Sequence, residues 1–119
     1  MTKKIAIITR KANFQGLAVK EALDLAMIMG SFEQDISLYF IGDGCFQLLN
    51  NSNAEIVASK DYTAVIDALA FYDVEQVYYC QHSALQRHID VSNLKKDIAP
   101  LTQAELSKQL SSADQVLTF

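Results

Sequence analysis

The apolar residues of this chain change their spacing repeatedly, and that alternation constrains the fold more than any other feature. Ile5-Ala6-Ile7-Ile8-Thr9 is a short unbroken apolar run, the pattern of a strand buried on both faces. From about Gln15 to Met29 the spacing becomes helical. Ala18, Ala22, Leu25 and Met29 share one line with Val19, Leu23 and Ala26 beside it, while Lys20, Glu21 and Asp24 form the polar side. Gly30 suits the left-handed position that ends such a helix. The strand pattern returns at Ile36-Ser37-Leu38-Tyr39-Phe40-Ile41 and stops at Gly42-Asp43-Gly44, a turn signal. Phe46, Leu48 and Leu49 suggest one helical turn, and Asn50-Asn51-Ser52-Asn53 is a polar loop.

The second half repeats the alternation. Tyr62, Val65, Ile66 and Leu69 are spaced as a helix that Asp61 is suited to cap. Val77-Tyr78-Tyr79-Cys80 is a strand, Ser83 to Ile89 a short helix, and Ile98-Ala99 a short strand before Pro100. Thr102-Gln103-Ala104-Glu105 is a capping box that opens a helix running to about Ser111. Gln115 to Phe119 is a closing strand. The order predicts one α/β domain, residues 1–119, with a mostly parallel five-stranded sheet covered by helices on both faces.

Composition narrows the function. Half of the 119 residues are hydrophobic, high for a small domain with so much surface to keep polar. The surplus fits either central strands buried on both faces or a surface reserved for a partner. The net charge of −4 is the wrong sign for a nucleic-acid binder, which needs a basic patch. The two cysteines, Cys45 and Cys80, argue for a reducing compartment. Met1-Thr2-Lys3-Lys4 leads into a strand too short for a signal core or a membrane span. The chain therefore reads as cytoplasmic, with no membrane and no direct nucleic-acid contact.

Ligands of open parallel sheets gather at the C-terminal ends of the strands. Thr9 to Gln15, Gly42 to Phe46 and Cys80 to Ser83 fall there. Cys80 stands between a strand and a helix start, where the helix macrodipole favours the thiolate, and His82, Arg87 and His88 follow it. Such a thiol suits attack on a persulfide. Against that, a free cysteine after Val-Tyr-Tyr is more often a small buried hydrophobe. Gly42-Asp43-Gly44 before Cys45 reads as a turn, with an anion-binding nest of backbone N–H groups as the alternative. It lacks the spacing of a nucleotide fingerprint, so no cofactor is expected. Cys45, Cys80 and His82 lack Cys-x-x-Cys or paired-histidine spacing, so no metal is expected.

Beside this reading stands a resemblance. Lys4-Ile5-Ala6, the run from Leu38 through Phe40-Ile41-Gly42-Asp43-Gly44-Cys45-Phe46-Gln47 to Leu49, Lys60-Asp61-Tyr62, the run Leu69 to Gln76 and the final Phe119 resemble the DsrE/DsrF-like sulfur-relay family, nearest its TusC (DsrF-type) branch. The resemblance implies a three-layer α/β/α fold and a heterohexamer, a dimer of trimers with TusB-like and TusD-like subunits. It implies that persulfide sulfur passes through the complex from a TusA-like donor to a TusE-like acceptor, ending as 2-thiouridine at tRNA wobble positions. A DsrF-like place in dissimilatory sulfur oxidation is the alternative pathway. Cys80, followed by Ala84-Leu85-Gln86-Arg87, matches the position of the sulfur-accepting cysteine in DsrE-type subunits, which makes Cys80 the candidate persulfide carrier. The resemblance also implies that the reactive thiol belongs to the TusD-type subunit, leaving this chain a non-catalytic part of a sulfurtransferase complex. His88-Ile89 stands where relatives often carry a glycine turn.

Overall fold

The computed structural model describes residues 3–11, 17–31, 35–48, 74, 76–93 and 98–119. The predicted polar loop at 50–53 and the helix at 62–72 with its Asp61 cap lie outside the described residues. Strands β1 (Lys4–Thr9), β2 (Asp35–Phe40), β3 (Gln76–Cys80), β4 (Ala99–Leu101) and β5 (Gln115–Thr118) form one sheet in the order β4-β3-β2-β1-β5. Every pairing is parallel. The described helices are α1 (Leu17–Ser31), α2 (Gln81–Gln86) and α3 (Gln103–Ser111), with 3-10 segments at Gly42–Leu48 and Val91–Asn93.

Strand alternation divides the side chains between two layers of core. Ile5 and Ile7, Ile36, Leu38 and Phe40, and Tyr79 face one side, where they meet Ala22, Leu23 and Ala26 of α1 and Ala84 of α2. Ala6, Ile8, Tyr39 and Leu101 face the other, where Leu106 and Leu110 of α3 pack. This division follows from topology. The chain steps in one direction from β1 to β4, so right-handed crossovers put α1 and α2 on one face; α3 carries it back to β5 and lands on the other. The prediction of a parallel sheet covered on both faces is correct.

Local chemistry sets the element ends. The capping box is present: Thr102 Oγ1 accepts from Glu105 N at 3.2 Å, and Glu105 Oε1 accepts from Thr102 N at 2.9 Å. These bonds hold the Glu105 carboxyl below its usual pKa. Tyr39 stacks on Tyr78 with ring centroids 5.5 Å apart. Its hydroxyl donates to Gln109 Oε1 at 2.8 Å, tying α3 to the sheet. Burial raises the Tyr39 pKa.

Beside one-residue shifts at strand ends, the boundaries differ from expectation in four places. Helix α1 runs through Gly30 to Ser31, because glycine lowers helix stability by only about 1 kcal/mol relative to alanine. Strand β4 continues through Pro100. It is the sheet's edge, where a missing N–H leaves no ladder bond unmade. Helix α2 begins at Gln81 and ends at Gln86, so Ile89 lies beyond it. The Gly42 turn is the start of a seven-residue 3-10 segment.

Phe40 is fully buried, and its truncation to alanine leaves a cavity in the main core. Phe40→Ala is expected to cost about 3–5 kcal/mol in urea denaturation. Leu85→Ala, at a side chain 65% exposed, is expected to change stability by no more than about 0.5 kcal/mol.

Candidate functional site

The C-terminal ends of β1, β2 and β3 meet the 3-10 segment and α2 at one edge of the sheet. Gly44 makes this possible. A Cβ at that position would collide with the Thr9 carbonyl oxygen, so the segment crosses the end of β1 only with glycine there. Gly42 has φ +59 and takes the left-handed turn out of β2. Gln47, further along the segment, is buried. Its Nε2 donates to Thr9 Oγ1 at 2.9 Å and to the Lys11 carbonyl at 2.6 Å, while its Oε1 is buried without a partner.

The Gly42–Gly44 backbone is not an anion nest. The Gly42 N–H donates to Ser83 Oγ at 2.9 Å and the Gly44 N–H to the Ile41 carbonyl at 3.0 Å. These donors are spent inside the fold, which leaves the turn reading standing.

The two thiols are neighbours with different surroundings. Cys45 is fully buried in the main core. Its Sγ lies 3.5 Å from the Phe40 carbonyl oxygen and 3.8 Å from that of Cys80, either of which can accept its S–H. Burial, and next the neighbouring Cys80, push its pKa up to about 12. Cys45 is therefore a protonated packing residue. Cys80 closes β3 and serves as the N-cap of α2, but its side chain makes no capping hydrogen bond. Only 4% of Cys80 is exposed.

The cations predicted near Cys80 are placed otherwise. Arg87 Nε donates to Asp43 Oδ1 at 2.8 Å, and its Nη1 donates to the Ser83 carbonyl at 3.2 Å. The pair is partly exposed, so its energetic contribution is at most about 1 kcal/mol. Its consequence is geometric: with the Ser83–Gly42 bond it bolts α2 to the 3-10 segment. His82 is exposed on the first turn of α2. Among the described residues no three His, Cys, Asp or Glu side chains gather in a metal-binding group, and no helix is long and apolar enough to cross a membrane. The sequence shows Ser83 and Gln47 only as members of longer runs with no role of their own, because their roles arise from contacts far apart in sequence.

His88 is the one described non-glycine residue with positive φ, at 53°. The His88 N–H donates to the Leu85 carbonyl at 3.1 Å and the Ile89 N–H to the Ala84 carbonyl at 3.0 Å. This is a Schellman motif closing α2, with histidine in the position that favours glycine.

A family profile for the DsrE/DsrF-like family matches residues 3–119. The chain belongs to the DsrE/DsrF-like family. Among its relatives in that family is a TusC homolog of Aliivibrio fischeri, 33% identical over 84% of this chain and 85% of the relative. A TusC homolog of Vibrio parahaemolyticus is 30% identical over 98% of both chains. The TusC protein of Escherichia coli is 31% identical over 98% of this chain and 99% of its own. The crystal structure of the ychN protein from E. coli superposes with a TM-score of 0.83, covering 99% of this chain and all of that one. At 24% identity that likeness speaks for the fold alone.

His88→Gly is expected to stabilise this DsrE/DsrF-like chain by about 0.5–1 kcal/mol. The substitution removes about 1–2 kcal/mol of left-handed strain and adds a smaller entropic cost of glycine in the unfolded chain. Urea denaturation measures it, and a destabilised variant would contradict the strain assignment. Cys45 gives a pH dependence. Its proton leaves the unfolded chain near pH 9 and the folded chain near 12. The contribution is whole below pH 9 and is lost as pH rises toward 12, by up to about 1.4 kcal/mol per unit. Cys45→Ala is expected to flatten that decline relative to the parent protein.

Proposed function

We propose that this chain is a TusC-type subunit of a sulfur-relay complex, building and positioning the assembly while a sister subunit carries the sulfur. The observation that carries the reading is similarity to TusC proteins along nearly the whole of both chains. In this reading the chain joins TusB-like and TusD-like subunits as a dimer of heterotrimers in the cytoplasm. Persulfide sulfur passes from a TusA-like donor to a TusE-like acceptor, toward 2-thiolation of the tRNA wobble uridine. The acidic net charge of −4 supports leaving tRNA contact to other proteins.

Burial of both thiols supports the division of labour. An incoming persulfide needs an accessible thiolate, whereas Cys45 is held protonated and Cys80 is closed off. The competing reading, in which Cys80 is itself a persulfide carrier, draws on its place at the end of β3.

Co-expression with TusB-like and TusD-like chains is expected to return all three in one particle of hexamer mass. A chain that elutes alone as a monomer would overturn the subunit reading. Within the complex, Cys80→Ser is expected to leave 2-thiouridine levels unchanged, measured by nucleoside mass spectrometry. Loss of thiolation with the complex intact would make Cys80 the carrier.

A further inference from the structure

A cleft of about 260 Å³ opens beside the C-terminal half of α3, over the N-terminal halves of β1, β2 and β3. We propose that it binds a small zwitterion, a free α-amino acid, with the ligand's ammonium on Asp35 and its carboxylate on Lys4. The inference is independent of the sulfur-relay reading and concerns the opposite end of the sheet from the two cysteines.

The first support is a row of polar side chains on a face that is otherwise core. Residues two apart on a strand share a face. Lys4 therefore shares the α3 face with Ala6 and Ile8, and Asp35 and Ser37 share it with Tyr39. Ala6, Ile8 and Tyr39 are buried. Lys4, Asp35 and Ser37, with Gln76 of β3 beside them, line the cleft instead. Departures of this kind from a strand's apolar pattern are expected at functional sites.

The second support is a pair of opposite charges set side by side. Lys4 and Asp35 are register partners on adjacent strands, about 4.8 Å apart at the backbone, and both line the cleft. Among the described residues they form no ion pair with each other. The cleft thus offers one positive and one negative site, the complement of a zwitterion and of neither an anion nor a cation alone. A direct contact between two exposed charges contributes little to stability, so a ligand that satisfies both displaces little. An α-amino acid carries its ammonium and carboxylate on one carbon, which suits neighbouring strands. A peptide sets its termini further apart by about 3.8 Å for each added residue.

The third support is that the acceptor is already oriented. Gln76 Nε2 donates to Asp35 Oδ1 at 2.8 Å, and Ser37 Oγ donates to Gln76 Oε1 at 2.9 Å. This relay fixes one carboxylate oxygen and leaves Asp35 Oδ2 to accept from a ligand. The far wall is fixed as well, by the Tyr39–Tyr78 stack and the Tyr39–Gln109 bond. Groups held in place before the ligand arrives lower the ordering cost of binding. Tyr78 and Ala113 add apolar surface for the ligand's side chain. The volume lies just under the lower limit of small-molecule sites, about 300 Å³, which suits a single amino acid.

The test is a titration of the isotope-labelled protein with L-leucine at constant pH and ionic strength, followed by amide NMR shifts. The controls are 4-methylpentanoate, which lacks the ammonium, and isoamylamine, which lacks the carboxylate. Leucine is expected to give saturable shifts at Lys4, Asp35, Ser37, Gln76 and Ala113. It is expected to bind at least about ten-fold more tightly than either control, as one charge-assisted hydrogen bond requires. Lys4→Gln is expected to remove the margin over isoamylamine, and Asp35→Asn the margin over 4-methylpentanoate. An unchanged amide spectrum away from the cleft reports that each variant keeps its fold. Leucine shifts that fail to saturate, equal those of either control, or persist unchanged in both variants would overturn the proposal.

Discussion

Strand β1 is hydrogen-bonded along both edges and buried on both faces, and the rest of the domain is arranged around it. β2 pairs with it from Lys4 to Thr9 and β5 from Ile5 to Ile8. Ile5 and Ile7 enter one core layer while Ala6 and Ile8 enter the other. A strand with no solvent-facing side satisfies its backbone only through its neighbours, so the N- and C-terminal parts of the chain must meet on it. Asp114 shows the closure: its N–H donates to the Lys4 carbonyl at 2.7 Å, and its carboxylate accepts from the Lys4 N–H at 2.8 Å.

The same strand organises the edge where chemistry is expected. Its last residue, Thr9, receives the backbone of Gly44 at a distance only glycine permits, and its hydroxyl receives the Gln47 amide. That contact holds the 3-10 segment down. The segment in turn presents Asp43 to Arg87 and the Gly42 N–H to Ser83, which fixes α2. A chain of short-range contacts thus runs from β1 to Ser83, three residues after Cys80. The contacts are individually modest. Their effect is to hold three strand ends in one arrangement.

Much of this was legible in the sequence because periodicity reports burial directly. The unbroken run Ile5 to Thr9 reads as a buried strand and is one, and the helical spacing of Ala22, Leu23 and Ala26 matched the buried face of α1. The Thr102–Glu105 capping box is a local device and was read as it stands. Ends and edges were less legible, since they depend on tertiary position. Pro100 looks like a strand breaker until β4 is known to be the sheet edge. Arg87 looks like a partner for Cys80 until Asp43, 44 positions away, is seen to claim it. His88 was visible as a departure from a glycine turn, and its left-handed backbone supplies the physical reason glycine suits that position.

The placement of the thiols carries the last step. Two cysteines lie against one another at a strand end in a family associated with sulfur transfer, which invites a reading as a relay pair. The burial argues otherwise. Cys45 has lost access to its thiolate form through desolvation, and its S–H is directed to backbone carbonyls as a packing hydrogen bond would be. Cys80 is buried at the end of β3, and the helix that follows it is held at its first turn by the Ser83–Gly42 bond and at its C-terminal end by the Arg87–Asp43 pair and the Schellman closure at His88. Both thiols are closed within a strand end fixed by hydrogen bonds, which is what the proposed positioning role requires.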